Sequence, residues 1–349
     1  MMETKPLTLL ETAIRAVEST PLPDAVTRFG VDFLVGRTRR KLAVQPSQEA
    51  QFAHAMAQHP IAEHTDLANT QHYELPPEFF ALTLGPQRKY SACLYPTGNE
   101  TLALAEELAL AETASHAGLV DGQAILELGC GWGSLTLYMA ECYPNSRITA
   151  VSNSAPQRTY IEGELRRAER SNVSVITADM NDFTPDQRFD RVVSVEMFEH
   201  MANWRELLGR VRGWLNPDGR LFLHVFTHRS QPYRFDPSDP ADWIAQHFFT
   251  GGIMPSHGLV AQFPESFAVE QEWRWSGLHY QRTARDWLAN FDANHAPITR
   301  LLTEVYGADA RLWRRRWRLF YLATAGLFGH ADGQEWGVSH YLLRPARAD

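Results

Sequence analysis

The sequence predicts an α/β protein: a Rossmann-like parallel sheet with helices on both faces, an N-terminal helical cover and C-terminal helical insertions. Three observations predict it. From about residue 120, short apolar runs alternate with amphipathic stretches, the pattern of a sheet covered on both sides. The first of these runs passes directly into a glycine-rich loop, ELGCGWGS, and then into a helix. With 349 residues, 44% of them hydrophobic, the chain has enough material for one core with large additions or for two domains, but is short for three.

The elements follow in order. Residues 1–90 read as a helical cover: LTLLETAIRAV sets Leu10, Ile14 and Val17 on one face, and SQEAQFAHAMAQH follows a candidate cap at Ser47, with Pro and Gly separating the segments. His54, His59, His64 and His72 are scattered through this cover without a recurring ligand spacing, so they read as solvated or capping groups and no metal is expected. Residues 91–227 form the binding core, with strands AILEL (124–128), RITAVS (147–152), VSVITA (173–178), FDRVVSVE (189–196) and GRLFLHVF (219–226). Residues 228–335 form a lid. It holds an irregular stretch to about 264 that could wall a pocket, one core strand FAVEQEWRW (267–275), and a helical block from 283 to 330. Residues 336–349 hold the final strand, VSHYLLR (338–344), and a tail.

Composition excludes some partners. With 33 Lys+Arg against 41 Asp+Glu and a net charge of −8, the chain lacks the basic balance that nucleic acid requires. Cys93, Cys130 and Cys142 have no zinc spacing, and the N-terminus has no apolar leader behind basic residues, which points to a reduced, cytoplasmic protein. No apolar stretch reaches the roughly 18–20 residues of a membrane span, so lipid contact would be peripheral. The sequence leaves the oligomeric state open, a homodimer included.

The glycine loop points to a particular ligand. Gly129, Gly131 and Gly133 are spaced G-x-G-x-G and followed by Ser134, a departure from the G-x-G-x-x-G of dinucleotide sites. Glu127, just ahead of them, suits an ammonium group better than a pyrophosphate, which it would repel. S-adenosylmethionine carries both an ammonium and a sulfonium, and the loop resembles motif I of the class I methyltransferases. In that fold Asn153 and Gln157 would meet the ribose, and Asp179, after the third strand, the adenine amino group. The alternative is that Asp179 simply caps the following turn.

With these residues in place, the chain resembles the cyclopropane-fatty-acid synthase-like methyltransferases, and within them the coclaurine N-methyltransferase-like branch. The likeness runs from about Tyr73 to Pro345 through HYELP, YSACLY, ILELGCGWGSLTLYMA, VSNSAPQ, VEMFEHM, LFLHVFTH, WSGLHYQRT, WRLF and EWGVSHYLL. It implies that Tyr90 and Ser91 fold over the methionine end of the donor and that Trp132 lines the loop. The lipid-cyclopropanating members hold a bicarbonate ion with a Cys, a Glu, a His and a Tyr, and have Gly at the position of Glu196. Here Ala92 stands at that Cys position and Cys93 one later, although Glu199, His224 and Tyr280 match the rest. Y-S-x-C and V-E-x-F-E-H follow the amine methyltransferases.

VEMFEHM therefore carries the expected chemistry. Methyl transfer is an in-line displacement, and the accepting nitrogen must arrive unprotonated. Glu196 is expected to orient a cationic substrate and Glu199 with His200 to form the base pair, against the alternative of a helix-start carboxylate and a capping His. His224 and Tyr280 are candidate substrate contacts, with a satisfied core histidine and a capping hydroxyl as their alternatives. In LWRRRWRLFYLATAGLF, Trp317 and Phe320 belong to an aromatic face that is either core or a substrate wall; the resemblance favours the wall. The neighbouring Arg314, Arg315, Arg316 and Arg318 could form a solvated face or meet lipid phosphate. The expected function is S-adenosylmethionine-dependent N-methylation of a small amine, cyclic and aromatic amines included. The alternatives are modification of fatty-acyl phospholipids, by methylation or cyclopropanation, and a silent donor-binding regulator.

Overall fold

The computed structural model describes Glu18, Thr20 and residues 22–63, 75–239 and 242–346. The amphipathic stretch at Leu10, Ile14 and Val17, together with His64, His72 and Tyr73, lies outside the described residues.

Seven strands form the main sheet. They are β1 (Ala124–Leu128), β2 (Arg147–Ser152), β3 (Val173–Thr177), β4 (Phe189–Val195), β5 (Leu215–His228), β6 (Phe267–Ser276) and β7 (Trp336–Pro345), in the order β3-β2-β1-β4-β5-β7-β6. β1 and β2 are buried almost throughout, as central parallel strands must be. The sheet departs from the all-parallel expectation at one strand, because β7 runs antiparallel to both β5 and β6. Three helices, α9 (Gly277–Ala293), α10 (His295–Tyr306) and α11 (Ala310–Gly329), carry the chain away from β6 and return it to the end where β6 finished. Gly337 then sits opposite Ser276, so the strand can only run back.

The cover contributes α1 (Asp24–Ala43), α2 (Glu49–Met56) and α3 (Pro77–Thr83). Two local expectations are corrected here. Gly30 and Gly36 do not break α1, and α2 starts at Glu49 behind Gln48 with no side-chain cap from Ser47. α1 survives its glycines because Val31 and Val35 are buried in the cluster that holds the aromatic face of α11. Helices α4 (Leu102–His116), α5 (Ser134–Cys142), α6 (Ala155–Arg167), α7 (Trp204–Trp214) and the short α8 (Trp243–His247) complete the described set. No helix among the described residues is long and apolar enough to cross a membrane.

The close approach of α1 to α11 depends on Gly326, where an added Cβ would lie 2.4 Å from Val31 Cγ1. Gly326→Val is therefore expected to destabilise the fold by about 1–3 kcal/mol through overpacking, read as a lower thermal midpoint with donor affinity unchanged.

Candidate active site

The carboxyl ends of β1, β2 and β4 open onto one cavity of about 1250 Å³, its open mouth included. This is where ligands bind in open α/β sheets. The glycine loop forms its floor. Gly129, Gly131 and Gly133 all have left-handed φ, at 79°, 52° and 82°, which side chains rarely adopt. Their surroundings differ. A Cβ on Gly129 would meet Met197 at 2.5 Å and one on Gly133 would meet Ile161 at 2.6 Å, whereas on Gly131 it would find nothing within 4 Å. Gly131 thus opens the cradle, while Gly133 packs against α6 and lies off the cavity lining.

Glu127, Trp132, Asn153, Gln157 and Asp179 line the same cavity, joined by Tyr90 and Ser91 from the segment before α4. Glu127 is buried, accepts a 2.5 Å hydrogen bond from Thr136 Oγ1, and is pushed up to about 7 by desolvation. Gln157 Oε1 accepts from Ser152 Oγ at 2.6 Å, leaving its buried Nε2 without a partner among the described residues; Trp132 Nε1 is in the same position. Buried donors left open in a cradle call for an acceptor from a ligand. Asp179 serves both readings at once: Oδ1 accepts from Asn181 N at 2.8 Å, capping the turn, and the residue still faces the cavity.

Past β4 the chain turns sharply. Glu196 has φ 48°, and the 3₁₀ turn Phe198–His200 follows, clamped by the cover where Ala202 N donates to Ile61 O at 2.7 Å. An apolar strand offers a carboxylate no local partner, and here the partners come from elsewhere. Glu196 Oε1 accepts from Ala92 N at 2.8 Å and lies 3.2 Å from His224 Nε2, and Oε2 accepts from Tyr280 OH at 2.7 Å. Burial raises its proton affinity, while the buried Lys89 ammonium opposes that shift.

Glu199 and His200, adjacent in sequence, diverge in space. His200 lines the cavity with its ring stacked on Phe249 at 4.4 Å, and burial holds it down at about 4, so it is neutral near pH 7. Glu199 is fully buried behind it and off the lining; Oε1 accepts from Phe226 N at 2.6 Å, and Oε2 has no partner among the described residues. Burial first, and then the Glu196 charge, push Glu199 well above the carboxylate range. Both effects favour its protonated form, which can donate a hydrogen bond, and its place off the lining separates it from His200.

His224 and Tyr280 sit behind Glu196, where the backbone register sets Val195 beside His224. Trp317 and Phe320 are buried in an aromatic cluster with Phe79, Phe80 and Phe248, away from the lining of the donor cavity. Three of the four arginines around them meet partners within the chain. Arg316 pairs with Glu18, Arg318 with Asp24 and Asp292, and Arg315 donates to the Glu18 carbonyl.

The sequence reading missed Lys89, whose buried Nζ donates to Ser91 Oγ and Ala92 O, both at 2.6 Å. It also missed His340, although a histidine inside an apolar strand had already marked His224.

A seven-strand sheet of this order, with a glycine cradle, a buried acidic residue beneath it and a neutral imidazole at its rim, defines a class I methyltransferase dependent on S-adenosylmethionine. Residues 62–332 match the family described as mycolic acid cyclopropane synthetase, and the chain belongs to that family. Among curated proteins it is 36% identical to (S)-coclaurine N-methyltransferase of Thalictrum flavum subsp. glaucum, covering 86% of this chain and 84% of that one. It is 30% identical to cyclopropane-fatty-acyl-phospholipid synthase of Escherichia coli K12, over 78% of this chain and 67% of the other. The crystal structure of coclaurine N-methyltransferase bound to N-methylheliamine and SAH superimposes with a TM-score of 0.92 at 32% identity, covering 97% of this chain and all of that one.

The residues present fit the donor: Glu127 for an ammonium, the open Gln157 amide and Asn153 for hydroxyls, Gly131 for close backbone approach. Gly129→Ala should strain this cradle by about 1–3 kcal/mol. That predicts donor-product affinity weaker by about 10-fold or more in titration calorimetry with SAH.

Proposed function

We propose that this enzyme methylates the nitrogen of a small amine, cyclic or aromatic, with Glu196 holding the substrate cation and His200 accepting the proton that the nitrogen must lose. The observation that carries the reading is the setting of the Glu196 carboxylate. Ala92 N, His224 Nε2 and Tyr280 OH surround it. These residues stand at positions that, in the resembling lipid enzymes, belong to the bicarbonate site. A dissociable anion is there replaced by a carboxyl group fixed to the chain. As a carboxylate this group holds a cationic amine, which in turn favours its ionisation, whereas a lipid alkene gains nothing from it.

The donor supplies an electrophilic methyl group on a sulfonium, and the protein supplies position and proton control. Glu196 fixes the ammonium beside the cavity. His200, neutral because burial disfavours its charged form, takes the proton at a ring nitrogen and exposes the nitrogen lone pair. Glu199, whose protonated form burial favours, can donate from Oε2, which has no partner among the described residues.

The relatives support this reading through coclaurine and pavine N-methyltransferases among the matches. Untargeted mass spectrometry of cell extract incubated with enzyme and donor tests it. Gain of one methyl by basic metabolites is the expected result. Gain of a methyl or methylene by phospholipid acyl chains would favour the lipid alternative, and donor binding without any product the silent one.

A further inference from the structure

Three histidines stand in file between Glu196 and the protein surface. His224 Nε2 is 3.2 Å from Glu196 Oε1, and its Nδ1 is 2.8 Å from His340 Nε2. His340 Nδ1 is 2.8 Å from His116 Nδ1, and His116 Nε2 is 3.2 Å from Glu112 Oε1, whose side chain is 42% exposed. Strand register builds the row, since His224 lies opposite His340 and His340 opposite Trp273, on which the His116 ring stacks at 3.8 Å. A sheet interior gains no stability from consecutive imidazoles that apolar residues would not give at lower desolvation cost. Here every ring commits both nitrogens to another titratable group, which makes the row continuous from site to solvent.

We propose that His224, His340 and His116 form a proton line through which Glu196 changes charge with its substrate, sending a proton to Glu112 when a cationic amine binds and recovering one when the product leaves. The inference rests on the amine reading above.

Before the substrate binds, burial favours the protonated form of Glu196, whose O–H then donates to His224 Nε2. His224 donates from Nδ1 to His340 Nε2, His340 from Nδ1 to His116 Nδ1, and His116 from Nε2 to Glu112. An ammonium arriving beside Glu196 favours its carboxylate. The Glu196 proton then moves to His224 Nε2, the His224 Nδ1 proton to His340 Nε2, the His340 Nδ1 proton to His116 Nδ1, and the His116 Nε2 proton to Glu112, which releases it to water. Each ring ends neutral in its other tautomer. The substrate nitrogen loses its own proton separately to His200, which passes it to water through the mouth of the cavity it lines; the nitrogen gains the methyl from the donor sulfonium and departs as a cation, and the hops then reverse and restore the first tautomers. The buried Lys89, which donates to Ser91 and Ala92, acts electrostatically on both Glu196 and His224. Its charge favours the carboxylate and disfavours an imidazolium, so it keeps the rings neutral between hops.

The test is amine turnover by the intact protein carrying His116→Ala, with imidazole or 1-methylimidazole added. Turnover should fall about 10-fold at unchanged donor affinity. Imidazole should recover it, while 1-methylimidazole, similar in shape but with one nitrogen blocked, should not. His340→Phe interrupts the same line at its centre and, where circular dichroism shows it folded, should lose as much. A wild-type rate in His116→Ala, or equal rescue by both additives, would overturn the line while leaving amine methylation intact. Wild-type protein that binds donor but methylates no amine would overturn the amine reading and this inference with it.

Discussion

Replacing Glu196 with glycine is expected to lower amine methylation by about 100-fold or more while leaving the protein folded. The backbone makes this substitution clean. Glu196 has φ 48°, a conformation that glycine adopts without strain, so the variant loses a side chain and no stability from the turn. What remains is a pocket bounded by Ala92 N, His224 Nε2 and Tyr280 OH, three groups that now surround the carboxylate. Added formate or bicarbonate should settle there and recover part of the turnover. Glu196→Gln keeps the shape without the charge and should be inactive toward cations with no rescue by either anion, because the amide blocks the space. Steady-state turnover with a cyclic secondary amine reads both effects, and full activity in the glycine variant without added anion would remove Glu196 from the site.

His200→Gln is expected to cost about 100-fold in turnover at unchanged donor affinity, because it removes the proton acceptor and keeps a polar side chain against Phe249. The pH profile separates this from a structural effect. Burial lowers the proton affinity of His200 to about 4, so the ring is a competent base above that pH and is lost as pH falls through it. The acid limb of turnover in the wild-type enzyme should therefore lie near pH 4, well below that of an unperturbed histidine, and should be absent from the variant's residual rate. An acid limb that persists unchanged in His200→Gln would assign the base elsewhere.

Much of this fold is legible from local pattern. β1 and β2 begin and end where their apolar runs do, since a central parallel strand must be apolar on both faces. β5 begins earlier than its apolar run, at Leu215, because Asn216 to Gly219 looks like a turn in sequence yet continues the strand through a register shift opposite Phe189. The direction of β7 was not legible, since it depends on where three helices return the chain. At the site, the glycine loop and VEMFEHM announce themselves because their residues are contiguous. The partners of Glu196 do not, coming from Ala92 and from Tyr280, 84 residues downstream, so the carboxylate looked unsupported in sequence. The separation of Glu199 from His200 was hidden for a similar reason, because a single 3₁₀ turn sends one side chain to the cavity and buries the other against Phe226. The arginines of α11 looked like a surface patch, and only the fold brings Glu18, Asp24 and Asp292 to them.

The most direct test of the account is to follow a labelled methyl group from donor to acceptor in one mixture containing cyclic secondary amines and phospholipid vesicles. Label is expected in the amine fraction, lost in Glu196→Gly and partly regained with added formate. Label confined to the lipid extract, and indifferent to Glu196, would contradict it.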